Sequence, residues 1–320
     1  VTLAIIYIHI GSWTLIMEAV QRLQSREECE QFLDHYDNIL LDCDGVLWRA
    51  GKLLPNIKET LEIFRGRGKR VFFITNNSSK SRSQYREKFI ALGIEVEKDQ
   101  IIPVSFAAAD YLQSEHPEVQ KAFVVGSQGL CDELLEHGIT VDGGQDPKYE
   151  ANFVRSEADF EQLQTDPEVG AVVVGWDLNF HFGKLSLASL HLQRNPGCLF
   201  VATNGDAYDR LEAGNIPGNG CLAAAIACSV GREPINVGKP SRWLIDRCLA
   251  RHGLSRARTL MVGDRLDTDV MLGKNGGTGA ALVLTGCTGE ADLPALVTAA
   301  NAPDYLLPSL GQVADLRRQR

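Results

Sequence analysis

Two carboxylates at an i, i+2 spacing, Asp42 and Asp44, close the apolar run Ile39-Leu40-Leu41 and are followed at once by Gly45. If the extended backbone persists through Cys43, alternation puts both acids on the same side, and Gly45 lets the chain turn away without a steric penalty. Two acids in one cleft repel, and a hard cation between them relieves the repulsion. Mg²⁺ suits such oxygens, since it takes one or two protein carboxylates and fills its shell with water and phosphate oxygens. One acid is then free to attack while the other moves protons. Taken alone, D-x-D-G reads equally as an Asx-rich turn at a strand end.

Three further segments bear on the choice. The apolar stretch 70–74 ends in Thr75-Asn76-Asn77-Ser78-Ser79, a hydroxyl and amides that offer neutral donors to an anion, or a polar loop with a helix cap. Lys239 follows the short apolar run at 235–237, and Pro240 fixes the backbone behind it. A lone lysine is ordinarily a solvated charge, but this one stands at a strand end. The fourth segment, 259–263, runs into Asp264, which points into the cleft, and Asp269, which caps and supports the next helix.

These residues need elements to hold them. Helical spacing covers 55–67 through Ile57, Leu61 and Phe64, with further helices starting near Ser83 and over 243–252, and residues 17–32 read as an amphipathic helix leading into the first strand. Strands alternating with helices imply an α/β fold with a doubly wound parallel sheet, whose ligands sit at the carboxyl edge.

Composition narrows the partners. A chain of 320 residues exceeds the common single-domain size, and 44% hydrophobic with 23% charged residues is an ordinary globular composition. A formal charge of −9 disfavours nucleic acid or an anionic membrane as partner, so an anionic substrate requires a local cluster of donors or a metal. The eight cysteines are scattered without a C-x-x-C pair, which points to a reduced compartment rather than a disulfide framework or a zinc site. A cytoplasmic location is expected, with an organelle, the plastid included, left open. Cys43 lies between two acids, whose charge raises a thiol pKa and argues against a redox sensor. Residues 1–16 are apolar, lack Lys and Arg, and are too short to span a bilayer, so they are expected to be a leader or a remnant outside the fold.

With Asp42-Cys43-Asp44-Gly45-Val46-Leu47-Trp48, Thr75-Asn76-Asn77, Gly238-Lys239-Pro240-Ser241 and Gly263-Asp264-Arg265-Leu266-Asp267-Thr268-Asp269, the chain resembles the haloacid dehalogenase superfamily phosphatases. The resemblance runs from about residue 32 to residue 307 and implies a Rossmann-like core. It implies that Asp42 is the nucleophile forming an aspartyl-phosphate, that Asp44 is the general acid and then base, and that Thr75, Asn76 and Asn77 bind the phosphoryl group. Lys239 would neutralise charge on nucleophile and phosphate. Mg²⁺ would be held by Asp42, the Asp44 carbonyl and Asp264, with Asp269 in support. Those roles suit phosphate monoesters, whose slow hydrolysis calls for positioning and charge stabilisation. An acid at Asp44 favours a phosphatase over a dehalogenase, because a halide needs no proton.

Between the second and third motifs, strands at 122–126, 171–175 and 198–203 and helices at 128–136, 184–193 and 221–230 form a second α/β domain. We expect a core of residues 17–118 and 234–320 and an insert of 119–233, with linkers near 115–121 and 231–235. The resemblance makes the insert a C2-type cap that excludes water and reads the leaving group. It extends to the eukaryotic p-nitrophenyl phosphatase group, which includes phosphoglycolate and pyridoxal phosphate phosphatases. Gly175-Trp176-Asp177-Leu178-Asn179-Phe180-His181-Phe182 corresponds to their specificity loop, which nominates Asn179 and His181 as substrate contacts. Ala202-Thr203-Asn204-Gly205-Asp206 is also similar to a cap segment there.

Asn179 stands where animal members carry a histidine, which weakens pyridoxal phosphate as the substrate. His181 reads equally as a packing residue between Phe180 and Phe182, and Arg210, in the loop before Pro217, as a solvated charge or a contact for a small carboxylate. The expected reaction is Mg²⁺-dependent hydrolysis of a small phosphorylated metabolite, 2-phosphoglycolate first, with pyridoxal 5'-phosphate or broad p-nitrophenyl phosphate activity second. A phosphomutase and a catalytically silent scaffold are the other readings. Relatives dimerise through the cap, so a homodimer is an implied state, with Val172 to Val174 either an edge or a buried core strand.

Overall fold

The computed structural model describes residues 16–319 apart from 212 and 213, so the expected leader lies, but for Ile16, outside the described residues. The chain forms two compact units. One contains the described residues up to Thr75, Leu92–Ile94 and the described residues from Lys239 on; the other contains Asn76–Ala91 and Glu95–Gly238.

In the first unit the strands lie in the order Gln21–Arg22, Tyr305–Leu307, Gly279–Val283, Thr259–Gly263, Asn38–Leu41, Arg70–Thr75, each pair parallel. The Asn38–Leu41 and Thr259–Gly263 strands are buried throughout, as expected of parallel strands covered on both faces. The helix Ile57–Gly66 buries Ile57, Leu61 and Phe64, and Arg242–His252 buries Leu244, Ile245, Cys248 and Leu249. Leu41 pairs with both Phe73 and Val262. The three strands therefore finish level, and two residues beyond those partners come Cys43, Thr75 and Asp264.

The single helix expected over 17–32 is not formed. Residues 16–18 are helical, the strand Gln21–Arg22 pairs with Tyr305 and Leu306, and a separate helix runs from Arg26 to His35. Ser25 is the reason: its hydroxyl accepts from the Glu28 amide, and the Glu28 carboxylate accepts from the Ser25 amide. This reciprocal capping box starts the helix wherever it falls.

The second unit holds a parallel sheet in the order Ile235–Asn236, Leu199–Ala202, Ala171–Val174, Lys121–Val125, Thr140–Gly143. Its core gathers Phe123, Val125, Val172, Val174, Phe200 and Ile226. Val172 to Val174 form the middle strand, with neighbours on both sides, so the edge reading is excluded. Ile235 and Asn236 pair with Val201 and Ala202, so the strand before Lys239 belongs to this sheet and not to the sheet that carries Asp42. Two residues are too short a run for the apolar pattern to disclose its partner. Arg210 is not in a loop: it pairs with Asn215 in the antiparallel hairpin Tyr208–Leu211 and Gly214–Pro217. The strand Thr140–Gly143 is absent from the sequence reading because Thr-Val-Asp-Gly has little apolar signal.

This unit also buries an ion pair. Lys184, in the helix Phe182–Arg194, donates from Nζ to Asp177 Oδ2 at 2.6 Å and to the Gly144 carbonyl at 3.1 Å, and neither charged side chain reaches solvent. Removing one partner strands the other charge in a medium that solvates it poorly. Lys184→Ala is therefore expected to cost ~3–5 kcal/mol in urea unfolding, and the paired change Asp177→Leu with Lys184→Met much less.

Candidate active site

Asp42 is the first residue past Leu41, and its N–H still donates to the Val262 carbonyl at 2.9 Å, which continues the ladder and fixes the acid at the sheet's carboxyl edge. Asp42 is 6% exposed and Lys239 3% exposed, so this is a buried charge cluster. Lys239 Nζ donates to Asp42 Oδ1 and to Asp269 Oδ1, both at 2.6 Å. The other Asp269 oxygen accepts from the amides of Asp264 and Arg265 at 3.2 and 3.1 Å. Asp269 was expected to cap the following helix. It sits inside the π-helical turn Leu266–Val270 and folds back to cap the loop before it, which ties the Asp264 backbone to the lysine.

Asp264 Oδ2 accepts from the Cys287 amide at 2.6 Å. Two glycines make room for it: a Cβ on Gly45 or Gly286 would fall 2.5 or 1.8 Å from Asp264 Oδ2, and Gly45 has φ +83°. Neither position tolerates a side chain without moving the acid, and Gly45 also needs the left-handed conformation.

Carboxylate oxygens of Asp42, Asp264 and Asp269 lie within 4.8 Å of one another, all three residues buried. Burial pushes Asp42 above the usual carboxylate range; Lys239 pulls it back, and Asp269 and Asp264 push it further up. Asp264 is pushed up to about 6, by burial first and the Asp269 charge second, against the Cys287 amide and Lys239. Burial alone would lower Lys239, but Asp269 and Asp42 outweigh it and hold the ammonium above its ordinary value. Three acids against one lysine leave excess negative charge on hard oxygen donors, which fits a divalent cation such as Mg²⁺. Asp42 and Asp264 are the ligands such an ion would take, while both Asp269 oxygens already serve Lys239 and the loop amides.

Asp44 is exposed, unlike its neighbours. After it the chain reverses at Gly45, whose amide donates to the Trp48 carbonyl at 2.8 Å, and Trp48 then pairs with Leu53 in a short hairpin. That reversal brings the Trp48 indole Nε1 to Asp44 Oδ1 at 2.7 Å. Thr75, buried, is the last residue of its strand.

The remaining expected contacts lie in the second unit. Asn76 Nδ2 donates to both oxygens of Asp206 at 3.1 Å, and its carbonyl accepts from Asn204 Nδ2 at 2.6 Å. Asn77 Oδ1 accepts from the Ser79 amide and hydroxyl at 2.8 and 2.6 Å, an Asx turn. The Asn179 backbone N–H donates to Asp177 Oδ1 at 2.8 Å, and its Nδ2 donates to the Glu150 carbonyl at 2.6 Å. His181 is the N-cap of the helix Phe182–Arg194: Nδ1 accepts from the Lys184 amide at 3.3 Å, and Nε2 donates to the Tyr149 carbonyl at 3.0 Å. With Phe153 edge-on at 5.5 Å, the imidazole has the surroundings of a helix cap and packing residue.

Three participants escape sequence reasoning. Trp48 carried a usable signal, an indole at i+4 from an acid with a glycine turn between. The Cys287 amide carried none, because a backbone donor has no identity in sequence. Asp206 was visible only through the similarity of its segment.

The chain matches a family model described as haloacid dehalogenase-like hydrolase over residues 39–140 and one described as HAD-hydrolase-like over residues 236–313. It is 44% identical over 275 residues to phosphoglycolate phosphatase 2 of Arabidopsis thaliana, spanning 85% of this chain and 90% of that protein. Among solved structures it resembles p-nitrophenyl phosphatase from Archaeoglobus fulgidus, with TM-score 0.75, 30% identity, and 88% and 99% of the two chains covered. It also resembles glycerol phosphate phosphatase from Mycobacterium tuberculosis in complex with magnesium, with TM-score 0.72, 26% identity, and coverage of 89% and 78%.

The electrostatics of the acid cluster generate a test that needs no substrate. Asp264 ionises above its ordinary 3.8 in the folded chain, so without a cation the folded state loses stability as pH rises from that value to about 6. A divalent cation selects the carboxylate form and reverses that loss. The rise in Tm on adding Mg²⁺ is expected to be larger at about pH 7.5 than at about pH 5, and Asp264→Asn to remove most of it.

Proposed function

The chain belongs to the haloacid dehalogenase-like hydrolases and is a phosphoric monoester hydrolase, and on that premise we propose that it hydrolyses a small phosphorylated metabolite through an aspartyl-phosphate on Asp42, with 2-phosphoglycolate as its substrate. The observation that carries the assignment of Asp42 is its place between the sheet edge and Lys239, buried, with one oxygen held by the ammonium at 2.6 Å. That hydrogen bond leaves Oδ2 to attack phosphorus, and the nearby positive charge stabilises the phosphoryl oxygens as the bond to the leaving oxygen breaks. Asp44 gives its proton to that leaving oxygen. It then takes one from the water that attacks the aspartyl-phosphate, which returns Asp42 to its starting form and releases inorganic phosphate. Thr75 is the side-chain donor proposed for the transferring group, with Asn76 contributing through its backbone because its side chain is held by Asp206, and residues 119–233 are proposed as the cap that reads the leaving group.

Bound to Asp42 and Asp264, Mg²⁺ would supply charge neutralisation on the phosphoryl oxygens. The three-carboxylate cluster and a structural neighbour described in complex with magnesium support it. The identity to a phosphoglycolate phosphatase supports 2-phosphoglycolate, and the likeness to a p-nitrophenyl phosphatase supports broad aryl phosphatase activity, pyridoxal 5'-phosphate included, as the second reading.

Phosphate release measured with Mg²⁺ from 2-phosphoglycolate, pyridoxal 5'-phosphate and p-nitrophenyl phosphate decides between them. A kcat/KM preference of about 100-fold or more for 2-phosphoglycolate, the size of effect a site built for a polar group achieves, is the expected outcome. Asp42→Asn is expected to reduce turnover of every substrate to background with Tm near native. Retained metal-dependent activity in that variant would remove Asp42 as nucleophile.

A further inference from the structure

We propose that Trp48 is a positioning residue for proton transfer, selecting the Asp44 oxygen that carries the proton; this rests on the assignment of Asp44 as general acid. Trp48 is fully buried and lies among the largest enclosed side chains of the protein, whereas the acid it touches is exposed. The contact is a 2.7 Å hydrogen bond from Nε1 to Asp44 Oδ1. The backbone reinforces it: residues 44 and 48 form a β-bridge, Gly45 N donates to Trp48 O at 2.8 Å, and Leu47 N donates to Cys43 O at 2.9 Å. The indole is therefore fixed by packing and by the turn, and the aspartate is fixed by the indole.

An indole N–H donates only and never accepts. The carbonyl oxygen of a protonated carboxyl accepts better than its hydroxyl oxygen, so the bond to Oδ1 favours the form of Asp44 that carries its proton on Oδ2. As the Asp42 oxygen bonds to phosphorus, the bond from phosphorus to the leaving oxygen breaks and its electron pair goes to that oxygen. The Oδ2 proton moves onto it, and Asp44 is left as a carboxylate with Oδ1 still held by Trp48. No other reactant is needed. An exposed aspartate without this tether divides its population among rotamers and between two equivalent oxygens, so fewer encounters find the proton in place.

The readout is leaving-group dependence. An alkyl leaving oxygen needs its proton in the transition state, whereas p-nitrophenolate departs with little help, and kcat/KM reports this step alone because it precedes hydrolysis of the aspartyl-phosphate. Trp48→Phe deletes the N–H and keeps an aromatic ring. It is expected to lower kcat/KM for 2-phosphoglycolate about 10- to 100-fold and for p-nitrophenyl phosphate less than about 3-fold. Site-specific replacement of Trp48 by 3-benzothienylalanine, which exchanges N–H for sulfur with almost no change in shape, is expected to reproduce the pattern if the phenylalanine variant does not fold. Equal losses on both esters, or none on either, would overturn the proposal. Asp44→Asn run alongside separates the two failures: if it shows the alkyl-selective loss and the Trp48 variants do not, Trp48 is only a packing residue; if it shows none, the general-acid assignment falls and the proposal with it.

Discussion

One buried ammonium holds the acid cluster together. Lys239 Nζ bonds Asp42 and Asp269 at once, and Asp269 passes that constraint to the amides of Asp264 and Arg265. Three carboxylates brought within 4.8 Å inside a protein would otherwise repel, and each would rather protonate than share the space. The lysine makes ionised acids tolerable there while leaving the cluster short of positive charge. That imbalance favours a cation at this edge.

The two acids that open the motif sit two residues apart and live in different environments. Asp42 still belongs to the ladder through its amide, and its carboxylate is buried against a lysine. Asp44 comes after the ladder has ended, beside a glycine that reverses the chain, and is exposed with one oxygen on an indole. A nucleophile benefits from a fixed, charge-stabilised oxygen, and an acid–base group needs access to both the leaving oxygen and water. The backbone turn at Gly45 separates the two environments, which suits the roles proposed for the two acids, and the same glycine leaves the space that Asp264 occupies.

In the second unit, polar side chains of the segments around Asn76 and Asn179 are spent on local order. Asn76 is tied to Asp206 and Asn204, Asn77 to Ser79, Asn179 to Glu150, and His181 to Tyr149 and Lys184. The buried Asp177–Lys184 pair sets the conformation of the loop that carries Asn179, since the second Asp177 oxygen accepts the Asn179 amide. A loop ordered in this way presents fixed backbone to a ligand at little entropic cost.

The acids and the threonine were legible in the sequence because parallel strands read as apolar runs, and chemistry placed where such a run stops has one address, the sheet's carboxyl edge; Lys239 was legible as a strand-end lysine, although the run before it belongs to the other sheet. Most of the helices and the central strands were legible for the same periodic reasons. The strand Gln21–Arg22, the strand Thr140–Gly143 and the sheet membership of Ile235 were not, because short or polar strands take their identity from a neighbour. Side-chain partnership was equally hidden: Lys239 is 197 positions from Asp42, and the Cys287 amide 23 from Asp264. The sequence by itself determined which groups stand at the strand ends and what family of chemistry they suit. Only the tertiary structure decided which oxygen each donor holds, that His181 caps a helix, and that the Trp48 indole bonds Asp44, since hydrogen-bond partners are chosen by distance in space and sequence order carries no measure of it.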